Sequence, residues 1–395
     1  MRSQSYRRVA AIAALTLLSN CAVSHELLGT DNGNDANASL GQSGTIQSVF
    51  GYAVADEPQA ALIGRQILNA GGNAADAAAA EGFALSVTLP SRASLGGGGA
   101  CIVKMADAQG NPLPPVALLF PPSAAANAGG DRPAAVPTLA RGLLALQARY
   151  GQLPYASTVV PAERLAGGVP VSPTLAADLQ VVGDALLDDP AAASVFAPGG
   201  TLLQAGSNLV QSDLAATLET LRTQGVQGFY AGAFAQQLVT AADQAGGGLT
   251  LQDLNANLPQ FTKPDTATSG DTTTASLPTP PPSAGPQPAT ASFSALDKNG
   301  GVVACAVTLN NLFGTGRIAP GTGILLSAAP HTPPTLAATV TTTANLTFRS
   351  ATTGTGNGAV SRANAISCPG GVPGGEATCT ATADPNGQGL AIGGR

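Results

Sequence analysis

The sequence predicts an α+β layered sandwich. Three observations carry the prediction. Ala-rich helical runs between residues 56 and 90 give way to a glycine run and two short apolar stretches. Residues 139–260 read mostly as helices. After Thr290 the apolar pattern switches to period 2 and reverses at a Gly-containing turn. Only 10% of the 395 residues are charged and 4% aromatic, while Gly (49) and Pro (30) are frequent, so the packing relies on small residues and many turns.

The elements follow in order. Asp56 is placed to cap a helix with Pro58 in its first turn; Ala60, Ile63 and Ile67 share a face, and Gly71-Gly72 stops it. Asn73 starts an Ala-rich helix that ends before Pro90. The glycine run 96–99 precedes a strand at 100–105, a turn at Gly110-Asn111 and a second strand near 116–120. "GLLALQARYG", "LVQSDLAATLETLRTQG" and "AFAQQLVTAADQAGGGLTLQDL" are the clearest helices of the middle region. Residues 264–289 are rich in Thr, Pro and Ser without apolar periodicity and read as a mobile segment. Beyond it, Phe293 and Ala295 alternate with polar neighbours, as do Val303, Cys305, Val307 and Leu309 on a returning strand, with the hairpin turn at 297–301.

Residues 1–20 have the form of an export signal, with Arg2, Arg7 and Arg8 ahead of an apolar run at 9–18 that is too short to span a bilayer. "LLSNC" sets Cys21 where a bacterial lipoprotein is cleaved and lipidated, although Asn20 departs from the usual small residue. Ordinary secretion or an uncleaved anchor are the alternatives. Residues 21–45 then form a polar tether, and the expected location is the periplasm, at the membrane. Cys368 and Cys379 are close enough in a Gly-rich stretch for a local disulfide, while Cys101 and Cys305 sit in apolar runs and read as buried thiols. The formal charge of −6, with no basic stripe, speaks against a nucleic-acid partner.

Chemistry is bounded by scarcity. The two histidines, His25 and His331, lie in the tether and in a Pro/Ala segment, which leaves little room for a Ser-His-Asp or Cys-His arrangement. No His/Cys/Asp/Glu cluster has metal-ligand spacing, so no metal or other cofactor is expected. The glycine run is not a phosphate loop, since no Lys-Ser/Thr follows; it reads as a close backbone crossing. A nucleophile that needs no histidine remains open. If the bond between Ala289 and Thr290 is cut, Thr290 gains an α-amine whose unperturbed pKa of about 7.7–8.0 suits a general base beside its own hydroxyl. The competing reading is a Pro/Thr linker followed by an ordinary strand.

An ordered series of motifs over most of residues 52–332 resembles the γ-glutamyltransferase (glutathione hydrolase) family of N-terminal-nucleophile hydrolases. It includes "GGNAADAAAA", "LPSRASLGGGGACIVKM", "VPTLARGLLALQARYGQLP", "PAERLAGGVPVS", "TASFSALDKNGGVVACAVTLNNLFGTG" and "GTGILL". The resemblance implies a four-layer αββα sandwich made as a precursor. Residues 46–263 would form the large-chain part, 264–289 the segment before the processing site, and 290–395 the small-chain part. The product would be a heterodimer of its own two fragments, acting on γ-glutamyl amides such as glutathione through a γ-glutamyl-enzyme intermediate. By motif position Thr290 matches the nucleophile, Thr308 a threonine beside it, and Asn310 an Asn at the substrate's α-amino end.

Departures from the family accompany the match. Pro121 stands where the family's carboxylate-binding Arg is found, Ala329 and Thr332 where a Gln and an Asp hold the substrate ammonium, and Ala291 where a Thr follows the nucleophile. The family's Ser-Ser pair falls on Pro334 and Thr335, and Gly354 and Gly356 are the nearest matches to the oxyanion Gly-Gly pair. Three functions stay open: a γ-glutamyl hydrolase, an N-terminal-nucleophile amidase or acylase for another small-molecule amide, and a non-catalytic envelope lipoprotein that keeps the fold.

Overall fold

In the computed structural model, which describes residues 43–44, 50–126, 129–278, 289–354, 363–385 and 387–394, two β-sheets lie face to face and helices cover one of them. The strands of these two sheets are β1 (Ser43–Gly44), β2 (Gly51–Ala55), β3 (Gly98–Lys104), β4 (Val116–Phe120) and β5 (Gln260–Thr262). There follow β6 (Asp265–Ser269), β7 (Thr272–Ser276), β8 (Thr290–Asp297), β9 (Val302–Thr308) and β10 (Ala337–Thr343). The last four are β11 (Phe348–Gly354), β12 (Ala363–Val372), β13 (Thr380–Thr382) and β14 (Leu390–Gly394). The central sheet has the order β1-β14-β2-β8-β9-β3-β4-β5, and the second β6-β7-β10-β11-β12-β13.

Period-2 alternation sorts the central sheet's two faces. Ala53, Ala55, Phe293, Ala295, Val303 and Val307 pack toward the helices. Tyr52, Val54, Leu296, Ala304 and Ala306 pack toward Val340, Phe348, Ala351 and Ile366 of the second sheet. Thr290, Ser292 and Ser294 share the parity of Leu296 and so belong to the inter-sheet face. The sandwich expectation thus holds for helices and two sheets; among the described residues no helix covers the second sheet's outer face, where every other residue of β10 is only part-buried.

Helix α1 (Pro58–Asn69) starts on Pro58 at its first turn, but its cap is Glu57, whose side chain accepts the Ala60 N–H, and not Asp56. Helix α2 (Ala74–Thr88) opens with the reciprocal Asn73/Asp76 capping box and is buried along its whole length, as an all-round apolar helix must be. Its small residues let neighbours close in: a Cβ at Gly82 would meet Leu143 of α3 (Leu139–Tyr150) at 2.7 Å. Behind them lie α4 (Tyr155–Ala166) and α5 (Pro173–Leu187), then the helices Pro190–Phe196, Ser212–Tyr230, Ala233–Gln244 and Leu251–Ala256. No helix among the described residues is long and apolar enough to cross a membrane.

The glycine run does what close backbone crossing requires. A Cβ at Gly97 would lie 2.5 Å from the Thr308 carbonyl oxygen, and one at Gly98 would lie 2.2 Å from Thr138 Oγ1. The hairpin turn also forms, with Gly300 at φ 74° and the Asp297 N–H bonded to Gly301 O.

Two further sequence expectations are corrected. Residues 265–276 are not mobile but form the β6–β7 hairpin around Gly270. Alternation was invisible there because Thr supplies both faces: it is β-branched, favours strands, and links its neighbours through Thr268–Thr273 (3.1 Å) and Thr274–Thr341 (2.9 Å) hydroxyl bonds. Residues 279–288 lie outside the described residues, as do the signal, Cys21 and all of the tether but Ser43–Gly44, which pairs with β14 as β1. The second correction concerns Cys101 and Cys305, which are not free thiols but a disulfide between directly opposed positions of β3 and β9. Cys368 and Cys379 pair as expected.

Candidate active site

Thr290 is the first residue of β8, buried and opposite Thr308 in the β8–β9 register. The residue before it is gripped at both polar groups. The Thr308 hydroxyl donates to the Ala289 carbonyl oxygen at 2.6 Å, and the Ala289 N–H donates to Asn310 O at 3.1 Å. The Asn310 N–H in turn donates to Thr308 Oγ1 at 2.9 Å, fixing the direction in which that hydroxyl points its proton. Asn310 achieves this from the left-handed region (φ 66°), which Asn tolerates better than most residues. Its side-chain Nδ2 donates to Ala328 O at 2.6 Å, so the amide is committed to the loop after "GILL".

Ala289, Thr290, Thr308 and Asn310, which the family resemblance singled out, therefore lie together. Thr290 also opens onto a cleft of about 300 Å³ lined by Asp56, Arg92, Asp178, Ser292, Gly354 and Asp384, with Gly387, Gln388 and Gly389 at one side. Gly354 reaches the cleft from the end of β11. Thr335 does not line it, nor do Pro121, Ala329 or Thr332. Gly356 lies outside the described residues.

The cleft's charged groups escaped the sequence analysis. Asp56 is no helix cap: at the end of β2 its carboxylate accepts the Ser292 N–H (2.7 Å) and Asn364 Nδ2 (2.6 Å). Burial pushes its carboxyl above the usual range, against the lowering effect of those bonds and of the Arg92 charge. Arg92 forms a two-point pair with Asp178 of α5, Nε and Nη2 each 2.8 Å from a carboxylate oxygen, and Ser91 Oγ adds a third bond to Asp178 at 2.7 Å. Hydrogen bonding to Asp178 holds the guanidinium even further above its ordinary range. "DEP" and "PSR" carry no local mark of these roles, since only long-range strand pairing and helix packing bring them to Thr290.

Comparison with known proteins shows what the chain as a whole is similar to. Residues 60–287, more than half of the chain, match the family described as gamma-glutamyltranspeptidase. Glutathione hydrolase 3 of Arabidopsis thaliana is 32% identical over 56% of this chain and 37% of that protein. The acylase ACY 1 proenzyme of Pseudomonas sp. (strain SE83) is 34% identical over 52% of this chain and 40% of its own length. The chain thus spans about two-fifths of the curated relatives it matches. In fold it is similar to the cephalosporin acylase of Bacillus halodurans, with a TM-score of 0.65 at 21% identity over 78% of each chain. The chain belongs to the γ-glutamyltranspeptidase family.

Proposed function

We propose that the chain is a self-cleaving amide hydrolase whose nucleophile is Thr290. The observation that carries this reading is the grip on the Ala289–Thr290 bond: Thr308 Oγ1 donates to the very carbonyl that must accept negative charge if that bond is attacked. Thr290 Oγ adds to the Ala289 carbonyl carbon, the C–N bond breaks as an ester forms, and the Thr290 nitrogen takes the hydroxyl proton. Water then hydrolyses the ester, leaving a carboxylate on Ala289 and a free α-amine on Thr290.

The same groups serve a substrate. The amine takes the proton of Thr290 Oγ as this attacks an amide carbonyl in the cleft, and then gives it to the leaving amine. Water releases the acyl group from the resulting ester. Gly354 lies at the cleft wall as a candidate backbone donor to the oxyanion.

Family membership and the relatives named as glutathione hydrolases support γ-glutamyl amides, glutathione among them, as substrates. One observation favours a different acyl group. The cleft wall is built from Arg92, Asp178, Asp56 and Asp384 and not from the positions of Pro121, Ala329 and Thr332, so the head is met by a different charge pattern. Initial rates on γ-glutamyl-p-nitroanilide and on p-nitroanilides of other acyl groups, charged and uncharged, decide between the two. A γ-glutamyl preference supports the first reading, and a preference for another acyl group the second.

We also propose export with a lipid anchor at Cys21; the two disulfides support an oxidising compartment. Incorporation of a labelled fatty acid that disappears in Cys21→Ala tests it, and labelling that persists contradicts it.

A further inference from the structure

The nucleophile's strand is supported unequally on its two sides. β9 accompanies β8 from Thr290 onward, whereas β2 accompanies it only from Phe293. The last backbone bond on the β2 side runs from the Asp56 N–H to Ser292 O, at 3.1 Å. Beyond it the Ser292 N–H finds no strand, and the Asp56 carboxylate takes its place at 2.7 Å. Ser292 Oγ lies 3.2 and 3.3 Å from the two carboxylate oxygens.

Asn364, on β12 of the other sheet, completes the arrangement. Its Nδ2 donates to Asp56 Oδ1 at 2.6 Å and to Ser292 Oγ at 2.9 Å, while its Oδ1 accepts the Asp384 N–H at 3.1 Å. A carboxylate is an acceptor only, so it matches donors arriving from Ser292 and Asn364 together. The network joins β2, β8 and β12 at the wall of the cleft onto which Thr290 opens.

We propose that Asp56 is a positioning residue for Thr290. It ends the frayed side of β8, fixes Ser292 two residues from the nucleophile, and ties that strand to the second sheet, so Thr290 Oγ keeps its line of attack. Residues two apart on a strand present their N–H groups to the same edge. The α-amine freed at Thr290 therefore emerges on the edge that Asp56 occupies. This assignment rests on the reading of Thr290 as nucleophile.

The test is a swap. Asp56→Asn sets two amide groups against each other, and Asn364→Asp two carboxylates; Asp56→Asn with Asn364→Asp restores a donor facing an acceptor. Cutting is followed by mass spectrometry in the full chain, turnover on whichever p-nitroanilide the wild type cleaves, and folding by Tm. Each single substitution is expected to slow cutting and kcat about tenfold to a hundredfold with KM nearly unchanged, the size of a slight misplacement of the attacking atom. The double substitution is expected to recover most of the loss. Should Asp56→Asn fail to fold, Asn364→Ala removes the bridging donor alone and is expected to show a smaller loss of the same kind. Single variants that cut and turn over like wild type, or a double variant no better than the singles, overturn the assignment of Asp56. An uncut wild type overturns the nucleophile reading as well.

Discussion

The two surroundings of Thr290 are built in different ways. On its β9 side, Ala289, Thr308 and Asn310 are locked by bonds from Thr308 Oγ1 to Ala289 O, Ala289 N to Asn310 O and Asn310 N to Thr308 Oγ1, all within one hairpin and its approach. At the cleft wall, Arg92, Asp178 and Asp56 come from the α2–β3 connection, from α5 and from the end of β2, and they meet only through the tertiary fold. The bonds around Ala289 and Thr290 come from residues near in sequence on β8, β9 and the loop after it, whereas the cleft is lined by Arg92, Asp178 and Asp56 and not by Pro121, Ala329 or Thr332. Attack on an amide needs one constant geometry, which neighbouring residues can hold; recognition needs only suitable charge in reach, which several positions of the fold can supply.

The comparison breaks most directly at the nucleophile. Thr290→Ala is expected to leave the chain uncut and to lower amide turnover roughly a thousandfold or more, measured by gel and by p-nitroaniline release. Thr308→Val keeps the shape and removes the proton offered to the Ala289 carbonyl, so cutting is expected to slow about a hundredfold. A Thr308→Val chain that cuts at the wild-type rate would separate Thr308 from the chemistry.

The cleft wall is expected to respond otherwise. Arg92→Met leaves the buried Asp178 without its two-point partner, and a stability loss of about 1–3 kcal/mol is expected in thermal melts. Cutting at Thr290 should persist, while the ranking of charged and uncharged acyl anilides changes. If cutting fails along with selectivity, the two surroundings are not separable.

How much was legible follows the same division. The β8–β9 hairpin, the glycine crossing and the Thr290 boundary could be read because each is set by neighbours in sequence or by a residue's own steric needs. Asp56 looked like a helix cap because "DEP" satisfies the capping pattern at two positions, and only the pairing of β2 with β8 reveals which carboxylate meets Ser292. Cys101 and Cys305 were read as buried thiols because their register depends on β3 lying beside β9, 204 residues apart in the chain. The β6–β7 hairpin was hidden by a Thr-rich sequence that shows no apolar face.

A smaller effect lies away from the cleft. Glu81 is fully buried in α2, with neither carboxylate oxygen hydrogen-bonded, and burial pushes its carboxyl well above the usual range. Folding therefore favours the protonated form. The unfolded chain releases this proton near pH 4.5, so stability from this group is fullest below that pH and falls as pH rises toward the raised folded value. Glu81→Gln is expected to flatten that slope in melts across pH, and Glu81→Leu to raise neutral-pH stability by about 1–3 kcal/mol by removing the unsatisfied group. A slope that survives Glu81→Gln would assign it to another residue.

The most direct measurement is mass spectrometry and denaturing electrophoresis of the purified full chain, with and without reductant. Cys101 lies before the proposed cut and Cys305 after it, so their disulfide should keep both fragments joined. The account predicts one non-reduced species, heavier than the uncut chain by one water, that reduction separates into two fragments, the second beginning at Thr290. A chain that stays whole in both conditions would contradict it.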